Sequence, residues 1–155
     1  RNFVLLKNLN NFVLEIFNKK DMARDNYRIM IIEDDLLLLL VEERLVKRLG
    51  YQVVGTASDG VVALSMIRKV KPDILLVDIN IKGKLNGVDI IENLMLDGEH
   101  IPVIYLTGEQ DPELVNRAKN EVCVDFLTKP VTSDVLKESL EKAVSYLNIP
   151  GVSAA

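Results

Sequence analysis

Asp73-Ile74-Leu75-Leu76-Val77-Asp78 is the stretch on which the reading of this chain turns. Four apolar residues stand between two carboxylates and follow Lys71-Pro72, which stops any preceding helix. Such a run predicts a strand covered on both faces, as in the middle of a parallel sheet. Asp78 stands where that strand ends. In open α/β sheets, ligands and chemistry gather at the carboxyl ends of strands. An Asp there is either a turn cap or a functional group, and the stretch alone leaves both open.

On either side, short apolar runs alternate with helical patterns. Arg28 to Glu33 predicts a first strand, and Asp34-Asp35 opens a helix that stops at Gly50, a residue suited to a helix C-terminus. Tyr51–Ala57 reads as a second strand, and 60–70 as a helix with Val61, Leu64 and Ile67 at helical spacing. After Asp78 come a Gly/Lys/Asn loop over 81–87, a helix from Val88 to about 97, and a strand over Ile101–Thr107. Pro112 opens a helix to about Asn120, Val122–Leu127 is a fifth strand, and 132–147 a final helix. Ahead of all this, Phe3, Leu6, Leu9, Phe12, Val13, Ile16 and Phe17 make one stripe of an amphipathic helix over 1–20, with a polar connector at 21–27. A helix this short needs something to pack on: its own domain, a second copy, or a preceding domain.

Repeated strand–helix units predict a doubly wound parallel sheet of flavodoxin-like order 2-1-3-4-5, with five helices plus the N-terminal one. The expected organisation is an N-terminal helix and connector over 1–26, one α/β domain over 27–148, and a tail or truncated linker over 149–155. That strand order places its crevice between strands one and three. Glu33-Asp34-Asp35 and Asp78 therefore meet although far apart in sequence. Converging carboxylates repel unless a hard divalent cation sits among them, and Mg²⁺ with its preference for carboxylates, waters and phosphate oxygens suits the set. Strand four ends in Thr107 and strand five in Phe126-Leu127-Thr128-Lys129-Pro130, bringing a hydroxyl and an ammonium to the same edge. Together these groups suit phosphoryl transfer to an Asp, giving an acyl phosphate.

Composition narrows the field. A formal net charge of −4 and the absence of a Lys/Arg block argue against nucleic-acid binding. One cysteine, Cys123, excludes an internal disulfide and fits a reducing, cytoplasmic setting; one His and one Cys exclude the usual zinc sets. The densest apolar run, Leu36 to Val41, is far below the ~20 residues of a membrane span. Asn8, Asn10, Asn11 and Glu15 break up any signal-peptide core, and Arg1 in place of a starting Met reads as a piece of a longer chain.

Glu33-Asp34-Asp35, Asp78, Thr107 and Lys129-Pro130, each at a successive strand end, resemble the receiver domain of two-component response regulators over residues 27–147. Gly50-Tyr51, Ala57-Ser58-Asp59-Gly60 and Asn86-Gly87 support the resemblance. It implies that Asp78 is the phosphoacceptor, taking a phosphoryl group from the His of a kinase or phosphotransfer protein. Asp34 and Asp35 would hold Mg²⁺ with Asp78, and Asn80 would add its backbone carbonyl. Thr107 would bond the phosphoryl oxygen, Lys129 would pair with phosphate or Asp78, and Thr107 with Phe126 would form the switch. Asn80 and Glu109 occupy positions that tune the lifetime of the acyl phosphate. The resemblance also implies a signalling switch that assists its own phosphorylation and dephosphorylation rather than a turnover enzyme. It admits a homodimer through the face of the domain's fourth helix, fifth strand and fifth helix, and it places the kinase's helices beside the acid pair. A helix buries only part of its circumference, so at least one or two leucines of the Leu36–Leu40 run must face outward there.

The loop from Asp78 to Gly87 is one residue longer than the commonest form, and Val131 stands where many members carry Phe. A degenerate receiver that signals by binding alone is the alternative function. A dehalogenase-type phosphohydrolase needs an Asp-x-Asp pair on strand one, whereas Asp78-Ile79-Asn80 lacks the second acid. A flavodoxin-like cofactor binder needs a Ser/Thr/Gly-rich phosphate loop after strand one, where Glu33-Asp34-Asp35 would repel the phosphate.

Overall fold

The computed structural model describes residues 2–24, 26–108 and 111–151. Its elements are α1 (Asn2–Arg24), β1 (Arg28–Ile32), α2 (Leu36–Arg48), β2 (Gln52–Ala57), α3 (Gly60–Val70), β3 (Ile74–Asp78), α4 (Gly87–Leu96), β4 (Val103–Thr107), α5 (Pro112–Ala118), β5 (Cys123–Thr128) and α6 (Ser133–Leu147). The five strands are all parallel, in the order β2-β1-β3-β4-β5. This is the flavodoxin-like sheet that the strand–helix alternation predicts.

β3 is buried along its whole length. Its Leu75 and Val77 face a core shared with α3 and α4, while Ile74 and Leu76 face a second core shared with α2 and α6. The alternation of side chains along a strand thus splits one apolar run between two layers. Helix starts are set by short polar side chains. Asp35, Asp59 and Asp111 each accept two backbone N–H bonds at the head of α2, α3 and α5, and Asn86 forms a reciprocal capping box with Asp89 at α4. Gly87 is required where it stands: a Cβ there would collide with the Asp78 carbonyl, whose close approach lets α4 start beside β3.

Two expectations are corrected. The residues read as a polar connector continue α1 as far as Arg24, because Lys19, Lys20, Met22 and Ala23 are all adequate helix formers. In α3, Val61 is exposed, so the inward stripe is Gly60, Ala63, Leu64 and Ile67. In α1 the side chains of Leu6, Leu9, Phe12 and Val13 are also exposed, so this part of the stripe is not covered by the described parts of the chain. Arg24 ties the end of α1 to α6 through an ion pair with Glu141 at 2.8 Å. The end of the tail, 152–155, lies outside the described residues.

Candidate functional site

β1 and β3 are adjacent and run in the same direction, with Ile32 opposite Val77. Their next residues, Glu33 and Asp78, therefore emerge side by side at the carboxyl edge of the sheet. Both are buried, and with Asp34 they bring three carboxylate oxygens within 4.8 Å of one another. Lys129, just past the end of β5, extends its ammonium between two of them, 2.6 Å from Glu33 Oε2 and 2.9 Å from Asp78 Oδ2. Its backbone N–H is fixed to the Thr107 carbonyl at 2.9 Å, and the Lys129–Pro130 peptide is cis. These groups line a cleft of about 510 Å³ together with Asp35, Leu38, Ser58 and Lys82.

The remaining bonds hold the acids in place. The Asn80 N–H donates to Asp78 Oδ1 at 3.0 Å, and the Lys82 N–H to Asp34 Oδ2 at 3.1 Å. Glu33 Oε1 accepts from the Asp35 N–H at 3.2 Å. Burial, and then the neighbouring Asp78 charge, raise the Glu33 carboxyl against the lowering effect of Lys129. Burial alone would depress the Lys129 ammonium, but the bonds from Glu33 and Asp78 outweigh it, leaving its pKa raised and its charge secure.

The acid cluster differs by one residue from the expected ligand set. Asp35 was expected beside Asp34 as a metal ligand, but its Oδ1 accepts the N–H groups of Leu37 and Leu38 at 2.9 and 3.1 Å, capping α2. Glu33 stands in the cluster instead. The signal lay in the sequence, since an Asp immediately before Leu36-Leu37-Leu38 is in the capping position. Thr107 is buried at the end of β4, one residue beyond Leu106, the β4 partner of Asp78. Phe126 packs on the inner core and stacks on Tyr105, with ring centroids 5.5 Å apart. Asn80 is exposed beside Asp78. Glu109 lies outside the described residues.

One group escaped the sequence reading. Glu42 is buried on α2, with Oε2 lacking any hydrogen-bond partner, and its carboxyl is pushed up to about 8 by burial and then by the charge of Glu33. Its position was readable, because Leu39, Glu42 and Val46 follow the three- and four-residue spacing of a buried face.

The model of the response regulator receiver domain matches residues 29–141. The chain belongs to that family. Among curated receiver relatives, it is 32% identical to chemotaxis protein CheY-3 of Vibrio cholerae over 76% of this chain and 91% of the relative. It is 29% identical to chemotaxis protein CheY of Pseudomonas aeruginosa, over 78% and 98% of the two chains. Among solved structures, the signal receiver domain of a modulated diguanylate cyclase from Desulfovibrio desulfuricans superposes with a TM-score of 0.71 at 35% identity, over 77% of this receiver chain and 94% of the other. A receiver domain protein from Clostridium thermocellum gives 0.70 at 28% identity, over 77% and 94%. The chain is thus a receiver domain of the two-component response regulators, a signalling module.

Proposed function

We propose that Asp78 accepts a phosphoryl group from the phosphohistidine of a kinase or phosphotransfer protein, and that the resulting acyl phosphate switches the domain toward an output or partner. The supporting observation is a buried carboxylate held at the end of a central strand, with an ammonium at 2.9 Å and two further acids around it. In the reaction an Asp78 oxygen attacks phosphorus, the P–N bond breaks, and the imidazole leaves with the electron pair and takes a proton.

Oxygen donors at this mutual spacing fit a hard divalent cation. Glu33, Asp34 and Asp78, with the Asn80 carbonyl, would hold Mg²⁺, which supplies positive charge against the phosphoryl oxygens when bound. Lys129, already paired with Asp78, would turn to an oxygen of the transferred group and offset its charge. The Thr107 hydroxyl would donate to another, and its movement would let Phe126 rearrange. Asn80 and Glu109 would tune how readily water reaches the acyl phosphate. A cytoplasmic setting follows for a module that works with such kinases; no described helix is long and apolar enough to cross a membrane.

Incubation with Mg²⁺ and acetyl phosphate, followed by intact mass measurement, tests the reading. One phosphoryl group should appear, dependent on Mg²⁺ and absent from Asp78→Asn. No adduct would overturn it in favour of a module that signals by binding alone.

A further inference from the structure

The cleft at Asp78 has an unbalanced lining: four carboxylates, Glu33, Asp34, Asp35 and Asp78, against two ammonium groups, Lys129 and Lys82. Lys129 is already engaged, bound to Glu33 and Asp78 and largely enclosed. Lys82 differs on each point. It is exposed, it lines the cleft, and among the described residues its side chain makes no ion pair. Its backbone is nonetheless fixed to the site, because its N–H donates to Asp34 Oδ2 at 3.1 Å. The loop therefore holds an exposed cation on a fixed base at the mouth of an acidic cleft. Lys84, two residues along the same loop, is also exposed and does not line the cleft.

A small phosphodonor is an anion and must approach this acidic mouth. We propose that Lys82 is a steering residue for the phosphodonor: its free ammonium draws anionic phosphoryl compounds to Asp78 and so sets how readily the domain is phosphorylated without a protein donor. An inference of this kind rests on Asp78 being the phosphoacceptor. It adds a specificity element that Lys129 does not supply, since the Lys129 ammonium is already held by Glu33 and Asp78. Attraction by an exposed charge at the mouth of a cleft raises encounter and is screened by salt.

The test compares rates of Asp78 phosphorylation by acetyl phosphate with Mg²⁺, at low salt and at about 0.5 M, for the unaltered protein, Lys82→Ala, Lys82→Arg and Lys84→Ala. Lys82→Ala should be slower by about twofold to fivefold at low salt, with the gap closing at high salt. Lys82→Arg and Lys84→Ala should match the unaltered protein. Equal rates for Lys82→Ala, an equal loss in Lys84→Ala, or a loss that ignores salt would overturn the steering role alone. If the unaltered protein takes no phosphoryl group, the phosphoacceptor reading falls and the role of Lys82 with it.

Discussion

Glu42 shows how much one residue can set the pH response of this fold. Its carboxyl, ordinarily near 4.5, is pushed up to about 8 by burial and by Glu33. Between those values the folded chain keeps a proton that the unfolded chain has released. Stability therefore falls as pH rises through that window, with the contribution fully present below it and lost above it. Glu42→Gln, neutral throughout, should match the unaltered protein near pH 5 and exceed it by about 1–3 kcal/mol near pH 8. Denaturant midpoints at the two pH values check this; a constant offset would mean that Glu42 does not titrate between them. The cap formed by Asp35 and the place of Glu33 in the proposed ligand set give a second prediction. Asp35→Ala should cost about 1 kcal/mol of stability through the lost cap and leave Mg²⁺ affinity nearly unchanged. Glu33→Gln should weaken Mg²⁺ binding by about tenfold or more. Calorimetric Mg²⁺ titration separates the two, and a large affinity loss in Asp35→Ala would restore Asp35 to the ligand set.

At the scale of the element, α2 has two apolar faces with different tasks. Leu39 and Val46 are buried, while Leu36, Leu37 and Leu40 are 68%, 71% and 63% exposed. Three leucines point outward, in keeping with the expectation of at least one or two. The outer face sits beside Asp35 and Leu38 of the cleft and is flanked by Arg44, Lys47 and Arg48, which fits a docking surface for the helices of a phosphodonor protein. Leu37→Glu should slow transfer from a protein phosphohistidine by about tenfold and leave acetyl phosphate kinetics unchanged. Equal slowing with both donors would point to damage at the cleft itself. The sheet order and most element ends were legible in sequence because β3 and β4 are continuous apolar runs and the helices keep their spacing. What sequence reasoning missed had local physical causes. Asp35 became a cap because its backbone is extended just before the helix, a fact that adjacent acids in a row conceal. Glu42 draws no notice in the sequence because a side chain with a carboxyl is rarely buried. The end of α1 ran on because nothing in its sequence stops a helix before Arg24.

At the scale of the molecule, the sheet joins two cores that have no buried residue in common. Leu75 on β3 belongs to the core under α3 and α4, and its neighbour Leu76 to the core under α2 and α6. Both side chains are fully enclosed, so truncation of either leaves a cavity costing about 2–5 kcal/mol. If the layers were independent, Leu75→Ala would lower one transition and Leu76→Ala another. The shared hydrogen-bonded strands argue otherwise, since neither layer can lose its packing without releasing the sheet that the other packs on. Each variant should therefore shift a single unfolding transition. Tyr105 lies in the first core and Tyr51 in the second, with no tryptophan present, so tyrosine emission and far-ultraviolet circular dichroism together sample both layers. Coincident curves in both variants are expected; a split curve in either would mean that one layer holds without the other. The outcome bears on the proposed switch, because Asp78 hangs from β3 itself. In a single cooperative unit, a change at Asp78 is felt by the packing of α4 and α5 on one side and of α2 and α6 on the other, without a dedicated path between them.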